Sequence, residues 1–306
     1  MVLELSRRGE RSAKRDAYPG RKKWSDKERK SRRELDQNFL KDKRFAKRIV
    51  TESGVGKGDL VVELGAGGGM LTRQLAKVAR EVVAVEHDPC WATRLEERFL
   101  GDGNVRVVQG DALGARLPDE PFVVVANIPF NITTSILHRL LDDPTAPLQS
   151  AHLLVQKQVA LKHARSTPTT LKTLSWSPWY GFSAGLELPA NTFHPKPEVD
   201  ACLMGAAKRG PPLVAPGHRH IFRAFVRRAF DGHGNSVGKT LRPFFTKAQL
   251  RRLAKDNGFS LHCPPSMLTV HQWVRLFDFM MLMAPRNRRP TPRRNAKREC
   301  WRSAVE

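Results

Sequence analysis

The feature that most constrains this chain is a series of short Val- and Leu-rich segments that alternate with helical patterns between residues 37 and 208. The apolar segments lie at residues 60–64, 82–85, 105–108, 122–126 and 152–155. Near-continuous apolar strands separated by helices are typical of a parallel sheet that is covered by helices on both faces. We therefore expect an α/β fold with its ligand site at the carboxyl ends of these strands.

A glycine-rich turn follows the first strand, in the sequence Glu63-Leu-Gly-Ala-Gly-Gly-Gly69. Such a turn lets a ligand approach bare backbone. Acidic residues follow the next two strands: Glu86 begins Glu-His-Asp, and Asp111 lies within Gly-Asp-Ala. We expect Glu86 to accept hydrogen bonds from two ribose hydroxyls and Asp111 to accept one from an exocyclic amine.

The turn departs from the dinucleotide-binding fingerprint, which needs Gly or Ala where this chain has Met70. There is also no lysine-bearing phosphate loop. The pattern therefore fits an adenosine-type ligand without a pyrophosphate, chiefly S-adenosylmethionine. The glycines alone fit an ordinary tight turn equally well, but polar features at three successive strand ends favour a cofactor pocket.

The fourth strand ends in Asn127-Ile-Pro-Phe130, which is the most specific motif of the chain. The lone pair of an aromatic amine is delocalised into its ring, so methyl transfer to it needs acceptors that hold the amine hydrogens. We expect the side-chain oxygen of Asn127 and the carbonyl of Ile128 to do this, with Pro129 stiffening the loop and Phe130 stacking on the base. Positioning would then supply most of the rate acceleration. Alone, Asn-x-Pro would fit an ordinary turn.

These motifs resemble those of the rRNA adenine N6-dimethyltransferases, in particular the Erm macrolide-resistance methyltransferases. The resemblance runs from Gln37 to about Met283 and implies a Rossmann-like class I methyltransferase sheet with helices on both faces. Its motifs are Gln37-Asn-Phe-Leu40, Glu63-Leu-Gly-Ala-Gly67, Glu86-His-Asp88, Gly110-Asp-Ala112, Asn127-Ile-Pro-Phe-Asn-Ile132 and Phe193-His-Pro-Lys-Pro197.

The resemblance implies a set of site residues. The expected cofactor-binding residues are Gln37, Asn38, Leu40, Gly65, Gly67, Glu86, His87, Asp111, Ala112 and Asn127. The expected catalytic residues are Asn127, Ile128, Pro129, Phe130 and Phe193. Phe193 would stack on the second face of a flipped adenine, and its alternative role is that of a packed core aromatic. Many relatives carry Tyr where this chain has Phe130, so a role for that hydroxyl is excluded here.

The charge of the chain indicates a polyanionic partner. The 306 residues include 53 Lys or Arg and 30 Asp or Glu, a formal net charge of +23. Residues 1–33 carry 13 basic and 5 acidic residues, and residues 285–306 carry 8 and 2. We expect these two ends to be disordered arms that attract RNA phosphates, although solubilising tails would look the same.

Between the arms we expect a catalytic domain at residues 34–209 and a small all-helical RNA-binding domain at residues 210–284. Several cations follow helical spacing in the second domain, namely Arg223, Arg227, Arg228, Arg242, Lys247, Arg251 and Arg252. A solvated face is the plain alternative for each of them. Trp176, Trp179 and Tyr180 have strand-like spacing and no evident polar partner, so we expect them in the core.

The four cysteines, Cys90, Cys202, Cys263 and Cys300, form no C-x-x-C pair, so we expect neither a metal site nor disulfides. No secretory or membrane-spanning pattern is present, which favours a cytoplasmic protein. We expect it to be a monomer. The resemblance implies transfer of one or two methyl groups to N6 of an adenine in 23S rRNA, with resistance to macrolides, lincosamides and streptogramin B. The alternatives are a housekeeping small-subunit rRNA enzyme, a DNA adenine methyltransferase, and a catalytically inactive nucleic-acid-binding factor.

Overall fold

The central sheet contains seven strands in the part of the chain that the structure describes. The computed structural model describes residues 38–167, 170–231, 236–284 and 289–291. Gln37 and the arm at residues 1–33 therefore lie outside the described residues, as does most of the arm at residues 285–306. Contacts group the described residues from Asn38 onward into one compact unit.

Five parallel strands form the part of the sheet that the sequence predicts. Their bounds are β2 (Leu60–Leu64), β3 (Glu81–Glu86), β4 (Val105–Gln109), β5 (Phe122–Asn127) and β6 (Leu148–Gln156). The short strand β1 (Phe39–Leu40) pairs outside this sheet with β8 (Phe193–His194). The order in the sheet is β4-β3-β2-β5-β6, so β2 lies centrally and the carboxyl ends of its neighbours β3 and β5 flank the glycine turn.

The five predicted strands are parallel, but the sheet as a whole is mixed. Strands β7 (Tyr180–Leu188) and β9 (Ala201–Lys208) extend it, with β9 antiparallel to both β6 and β7. Their sequences interleave Gly, Ser, Cys and Glu with apolar residues, so they lack the continuous Val runs of β2 to β5. Seven residue pairs join β6 to β9, and this long-range pairing has no local signal in the sequence.

Helices cover both faces of the sheet. They are α1 (Lys43–Ser53), α2 (Met70–Leu75), α3 (Pro89–Phe99), α4 (Thr133–Leu141), α5 (Lys157–His163) and α6 (Leu171–Trp176). Alternate residues of β2 enter different cores, as strand pleating requires. Val61 packs with Ile49 of α1 and Leu75 of α2, whereas Val62 packs with residues of α4 such as Leu137.

The predicted C-terminal helices are present. They are α7 (Arg219–Asp231), α8 (Val237–Thr240), α9 (Lys247–Asp256) and α10 (Val270–Met283). Phe222, Trp273 and Phe277 of these helices are buried and belong to the same hydrophobic core as Val62 of the sheet. The boundary between residues 209 and 210 stays a prediction. No helix among the described residues is long and apolar enough to span a membrane.

Two sequence interpretations change at the junction between sheet and C-terminal helices. Trp176, Trp179 and Tyr180 are buried as predicted, but both tryptophans have polar partners: Trp176 donates to Asp142 and Trp179 donates to the carbonyl of Val214. Arg223 is half-buried rather than part of an exposed face. Its guanidinium lies 5.6 Å from the ring centroid of Trp179 and 3.7 Å from the carboxylate of Asp142.

Candidate active site

The glycine turn after β2 lies at the carboxyl edge of the sheet. The amides of Gly65 and Ala66 both donate to the carbonyl of Val85 in β3, at 2.8 and 3.0 Å. Gly67 has a φ of 53°, in the left-handed region that favours glycine. A Cβ atom at Gly67 would lie 2.7 Å from Cε1 of Phe39, so the ring of Phe39 rests directly on the turn. Phe39 belongs to the N-terminal sequence motif, which alone predicts no role for its ring.

Glu86 ends β3 and shapes this turn. Its carboxylate is 4% exposed, and its Oε2 accepts from the amide of Gly67 at 2.6 Å. Its Oε1 accepts from the amide of Asp88 at 2.9 Å. Each carboxylate oxygen can accept more than one hydrogen bond, so both oxygens keep capacity for a ligand hydroxyl. His87 follows Glu86 and is exposed.

Asp111 lies beside Glu86, because the amide of Gly110 donates to the carbonyl of Glu86 at 2.9 Å. Asp111 is exposed, and its Oδ1 accepts from the amide of Leu113 at 3.0 Å. Ala112, between Asp111 and Leu113 in the chain, is half-buried. The loop therefore presents a carboxylate at the pocket edge, held in place by its own backbone.

Arg139 of α4 donates hydrogen bonds to the Asp111 loop, and no sequence motif predicted this contact. Its two terminal nitrogens donate to the carbonyls of Leu113 and Ala115. Burial lowers the pKa of Arg139, and the nearby charge of Asp111 opposes that shift. The two hydrogen bonds join residues 24 and 26 positions apart in sequence, so no local pattern predicts them.

Asn127 is the last residue of β5 and faces the N-terminal motif. Its Nδ2 donates to the carbonyl of Asn38 at 2.8 Å. Because a carbonyl can only accept, this contact fixes which end of the Asn127 amide is nitrogen. Among the residues that the structure describes, Oδ1 of Asn127 has no hydrogen-bond donor, so this acceptor is available to a ligand.

The residues after Asn127 form a tight turn into helix α4. Ile128 is buried in the main core, and Pro129 accepts from the amide of Ile132 at 3.2 Å to begin a short 3-10 turn at Phe130–Ile132. Within the described chain, no backbone hydrogen bond engages the carbonyl of Ile128. Phe130 is half-buried and packs against the core cluster that contains Phe193.

Phe193 lies close to this turn but is completely buried, with 0% exposure. It pairs with Leu40 across the two-stranded β1–β8 ribbon, and Leu40 is itself buried in the same cluster. In this conformation the ring of Phe193 acts as a packed aromatic. Stacking on a flipped base stays a prediction, and it would require the ring to leave this cluster.

Glu63 is a buried titratable group beneath the glycine turn. It is 2% exposed, and burial raises its pKa to about 8, with the neighbouring charge of Glu86 acting in the same direction. A hydrogen bond with Thr72 opposes this shift. Glu63 is therefore a second buried acid beneath the glycine turn, and the sequence motif alone predicts no role for it.

The structure thus brings together most of the predicted site. Hydrogen bonds join Gly67 to Glu86, Glu86 to the Asp111 loop, and Asn38 to Asn127. No group of three metal-ligating side chains occurs in the described ranges, and the expectation of a metal-free site stays a prediction.

Comparison with known proteins decides the family. The pattern of the family described as ribosomal RNA adenine dimethylase matches residues 28–281. The chain belongs to this family. It is an rRNA adenine N6-methyltransferase, as the sequence motifs predicted, and the match covers both the sheet and the C-terminal helices.

Relatives come from more than one branch of the family. An rRNA adenine N-6-methyltransferase of Corynebacterium diphtheriae is 36% identical over 211 residues, covering 69% of this chain and 82% of that protein. The mycinamicin-resistance protein MyrB of Micromonospora griseorubida is 33% identical, covering 80% and 78%. A ribosomal RNA small subunit methyltransferase A of Parasynechococcus marenigrum is 36% identical, covering 80% and 86%.

The fold is also similar to a solved structure. The crystal structure of the 23S rRNA methyltransferase ErmE superposes with a TM-score of 0.73 at 29% identity, covering 80% of this chain and 100% of that one. The predicted Rossmann-like methyltransferase fold with C-terminal helices is therefore confirmed, with a mixed rather than a parallel sheet.

Proposed function

We propose that this enzyme transfers one or two methyl groups from S-adenosylmethionine to N6 of a specific adenine in 23S rRNA. The product would protect the ribosome against macrolides, lincosamides and streptogramin B. The observation that carries the proposal is the hydrogen bond that orients the amide of Asn127. It leaves Oδ1 available at the end of β5, beside the glycine turn. The enzyme would work as a cytoplasmic monomer with catalytic residues 34–209 and RNA-binding helices within 210–284.

The pocket residues fit S-adenosylmethionine. Glu86 and Asp111 provide acceptors at adjacent strand ends, suited to ribose hydroxyls and an exocyclic amine. These two acids also favour a cationic ligand. When bound, the cofactor would supply an electrophilic methyl group on a sulfonium.

The protein would act mainly by orienting the acceptor amine. Oδ1 of Asn127 would accept one amine hydrogen and the carbonyl of Ile128 the other, which localises the nitrogen lone pair. Pro129 has a φ of −56° and stiffens the turn, and the half-buried ring of Phe130 offers a stacking face. Well-oriented reactants can lower a barrier by roughly 7–11 kcal/mol, so the mechanism needs no general base.

Two observations support 23S rRNA as the substrate. The resistance protein MyrB and the 23S rRNA methyltransferase ErmE each match about four-fifths of the chain. The forms Asn127-Ile-Pro-Phe130 and Phe193-His-Pro-Lys-Pro197 also resemble the resistance branch. A small-subunit rRNA target is the second candidate, because the small-subunit enzyme of Parasynechococcus is equally well covered, at 80% of this chain.

A labelled-methyl transfer assay distinguishes the two candidate substrates. It uses protein-free 23S rRNA and small-subunit rRNA in both its protein-free and its protein-bound form. The proposal predicts incorporation into 23S rRNA that disappears in Asn127→Ala. Incorporation only into small-subunit rRNA would support the housekeeping function. Incorporation no higher than that of Asn127→Ala on every RNA would favour the inactive binding factor, and equal incorporation into duplex DNA would favour a DNA methyltransferase.

A further inference from the structure

Helix α1 carries its cations at the end nearest the active site. It begins three residues after β1, and Asn38 just before β1 accepts the hydrogen bond from Asn127. Its exposed cations all lie in its first half: Lys43, Arg44, Lys47 and Arg48. The helix then ends at Ser53, before β2 starts at the opposite edge of the sheet. The first half of α1 thus borders the mouth of the pocket.

Three of these cations form no salt bridge within the part of the chain that the structure describes. Arg44 pairs with the helix-capping Asp42 at 2.6 Å. By contrast, no carboxylate of the described residues forms an ion pair with Lys43, Lys47 or Arg48. We call these three residues the α1 basic face.

This charge pattern does not serve the stability of the helix. The amino end of a helix carries partial positive charge and is stabilised by acids; the N-cap Asp42 meets this need, but the first turn of α1 itself contains cations and no acidic residue. Lys43 and Lys47 are also four positions apart, where like charges repel. A polyanion that binds there would offset these costs.

We propose that the α1 basic face binds phosphates of the rRNA that flank the target adenine, an inference that rests on the proposed function. A base that enters the pocket leaves its sugar-phosphate chain at the pocket mouth. Lys43 is five residues from Asn38, so its Cα atom lies within about 18 Å of it even in a fully extended chain. Phosphate contacts fix the register of the RNA but do not select the base.

The test is a double neutralisation, Lys43→Gln with Lys47→Gln, compared with Lys57→Gln with Lys77→Gln. Lys57 and Lys77 are also exposed, but they precede β2 and β3 and so lie at the opposite edge of the sheet. Dissociation constants are measured for protein-free 23S and small-subunit rRNA over a range of salt concentrations. Cofactor affinity and the thermal midpoint are measured in parallel.

The proposal predicts that the α1 pair lowers the slope of log K against log salt by about 1.4–1.8, since each lost phosphate contact removes roughly 0.7–0.9. Cofactor affinity and the thermal midpoint should not fall, and the control pair should keep the wild-type slope. An unchanged slope for the α1 pair, or an equal drop for both pairs, would overturn it. Because both rRNAs are tested, this result does not depend on which of them is methylated.

Discussion

At the residue scale, the pocket depends on a few backbone positions that tolerate no side chain. Gly67 combines a positive φ with a contact to Phe39, whereas Gly54 has a φ of 69° and no atom within 4 Å of an added Cβ. These two glycines differ only in their surroundings. The pair therefore separates the cost of backbone conformation from the cost of displacing Phe39.

We predict that Gly67→Ala weakens cofactor binding and lowers the free energy of unfolding by more than Gly54→Ala does. The left-handed conformation alone costs about 1–2 kcal/mol for a residue with a Cβ atom, and this cost is common to both variants. Calorimetric titration with S-adenosylmethionine and denaturant unfolding measure the two effects. Equal losses in both variants would show that Phe39 moves aside freely.

Glu63 makes folding stability depend on pH. Its pKa is about 8 in the folded protein against 4.5 as the reference value, so between these limits the folded state holds a proton that the unfolded state releases. Stability should therefore fall as pH rises from about 4.5 to about 8, by up to about 1.4 kcal/mol per pH unit. Glu63→Gln should remove this slope in cofactor-free protein.

Urea unfolding at several pH values measures this slope. The matched control is Glu97→Gln on the exposed side of α3, which should keep the wild-type slope. If Glu63→Gln and wild type lose stability in parallel as pH rises, the carboxyl is ionised in the folded protein and this account of Glu63 is wrong.

At the element scale, the site is assembled by contacts between segments that are distant in sequence. The β1–β8 ribbon joins the N-terminal motif to the Phe193 loop, and Asn127 joins the same motif to β5. Helix α4 begins directly after the catalytic turn and reaches the cofactor side of the site through Arg139. The β1–β8 ribbon, the hydrogen bond between Asn127 and Asn38, and helix α4 therefore bring the motifs together at one site.

We predict that Arg139→Lys weakens S-adenosylmethionine binding about fivefold, because one ammonium cannot replace both guanidinium contacts and a lost hydrogen bond costs about 1 kcal/mol. It should also reduce the preference for the cofactor over an analogue that lacks the exocyclic amine, since Asp111 would be less well positioned. Both affinities can be measured by calorimetry.

The control for Arg139 is Arg116→Lys, a neighbour that is exposed and pairs with Asp119 at 2.7 Å. This variant should bind the cofactor and the analogue like wild type. If Arg139→Lys lost the same affinity for both ligands and kept the preference, Arg139 would stabilise the fold without positioning Asp111.

Much of the fold and of the site was predictable, for identifiable physical reasons. Strands β2, β3 and β5 are buried on both faces and so appear as runs of Val, and Glu86 and Asn127 are the last residues of β3 and β5. Strand β7 is half exposed, and its pairing depends on residues far along the chain. The hydrogen bonds of Arg139 to the Asp111 loop and the burial of Phe193 also depend on tertiary packing. No local sequence pattern therefore predicts them.

At the scale of the whole molecule, the positive charge is unevenly distributed. The arm at residues 1–33 carries a net +8 and lies outside the described residues, while Glu86 and Asp111 give the pocket an acidic character. We therefore expect the charge that attracts RNA to be distinct from the charge that holds the cofactor.

We predict that deletion of residues 1–33 weakens rRNA binding and flattens its salt dependence while cofactor affinity stays unchanged, because we expect these cations to attract phosphates rather than to line the pocket. Filter binding at several salt concentrations measures the slope. A matched deletion variant carrying Asn127→Ala should show the same loss of RNA affinity. A slope equal to that of the full chain would contradict a role of this arm in RNA binding.

The central claim is that Asn127 and its neighbours methylate N6 of one adenine in 23S rRNA. The most direct test digests 23S rRNA after reaction and identifies the modified nucleoside by mass spectrometry, with primer extension to map its position. We predict N6-methyl- or N6-dimethyladenosine at a single position in the drug-binding region, and none with Asn127→Ala. Modification of small-subunit rRNA alone, or of many scattered adenines, would contradict the account.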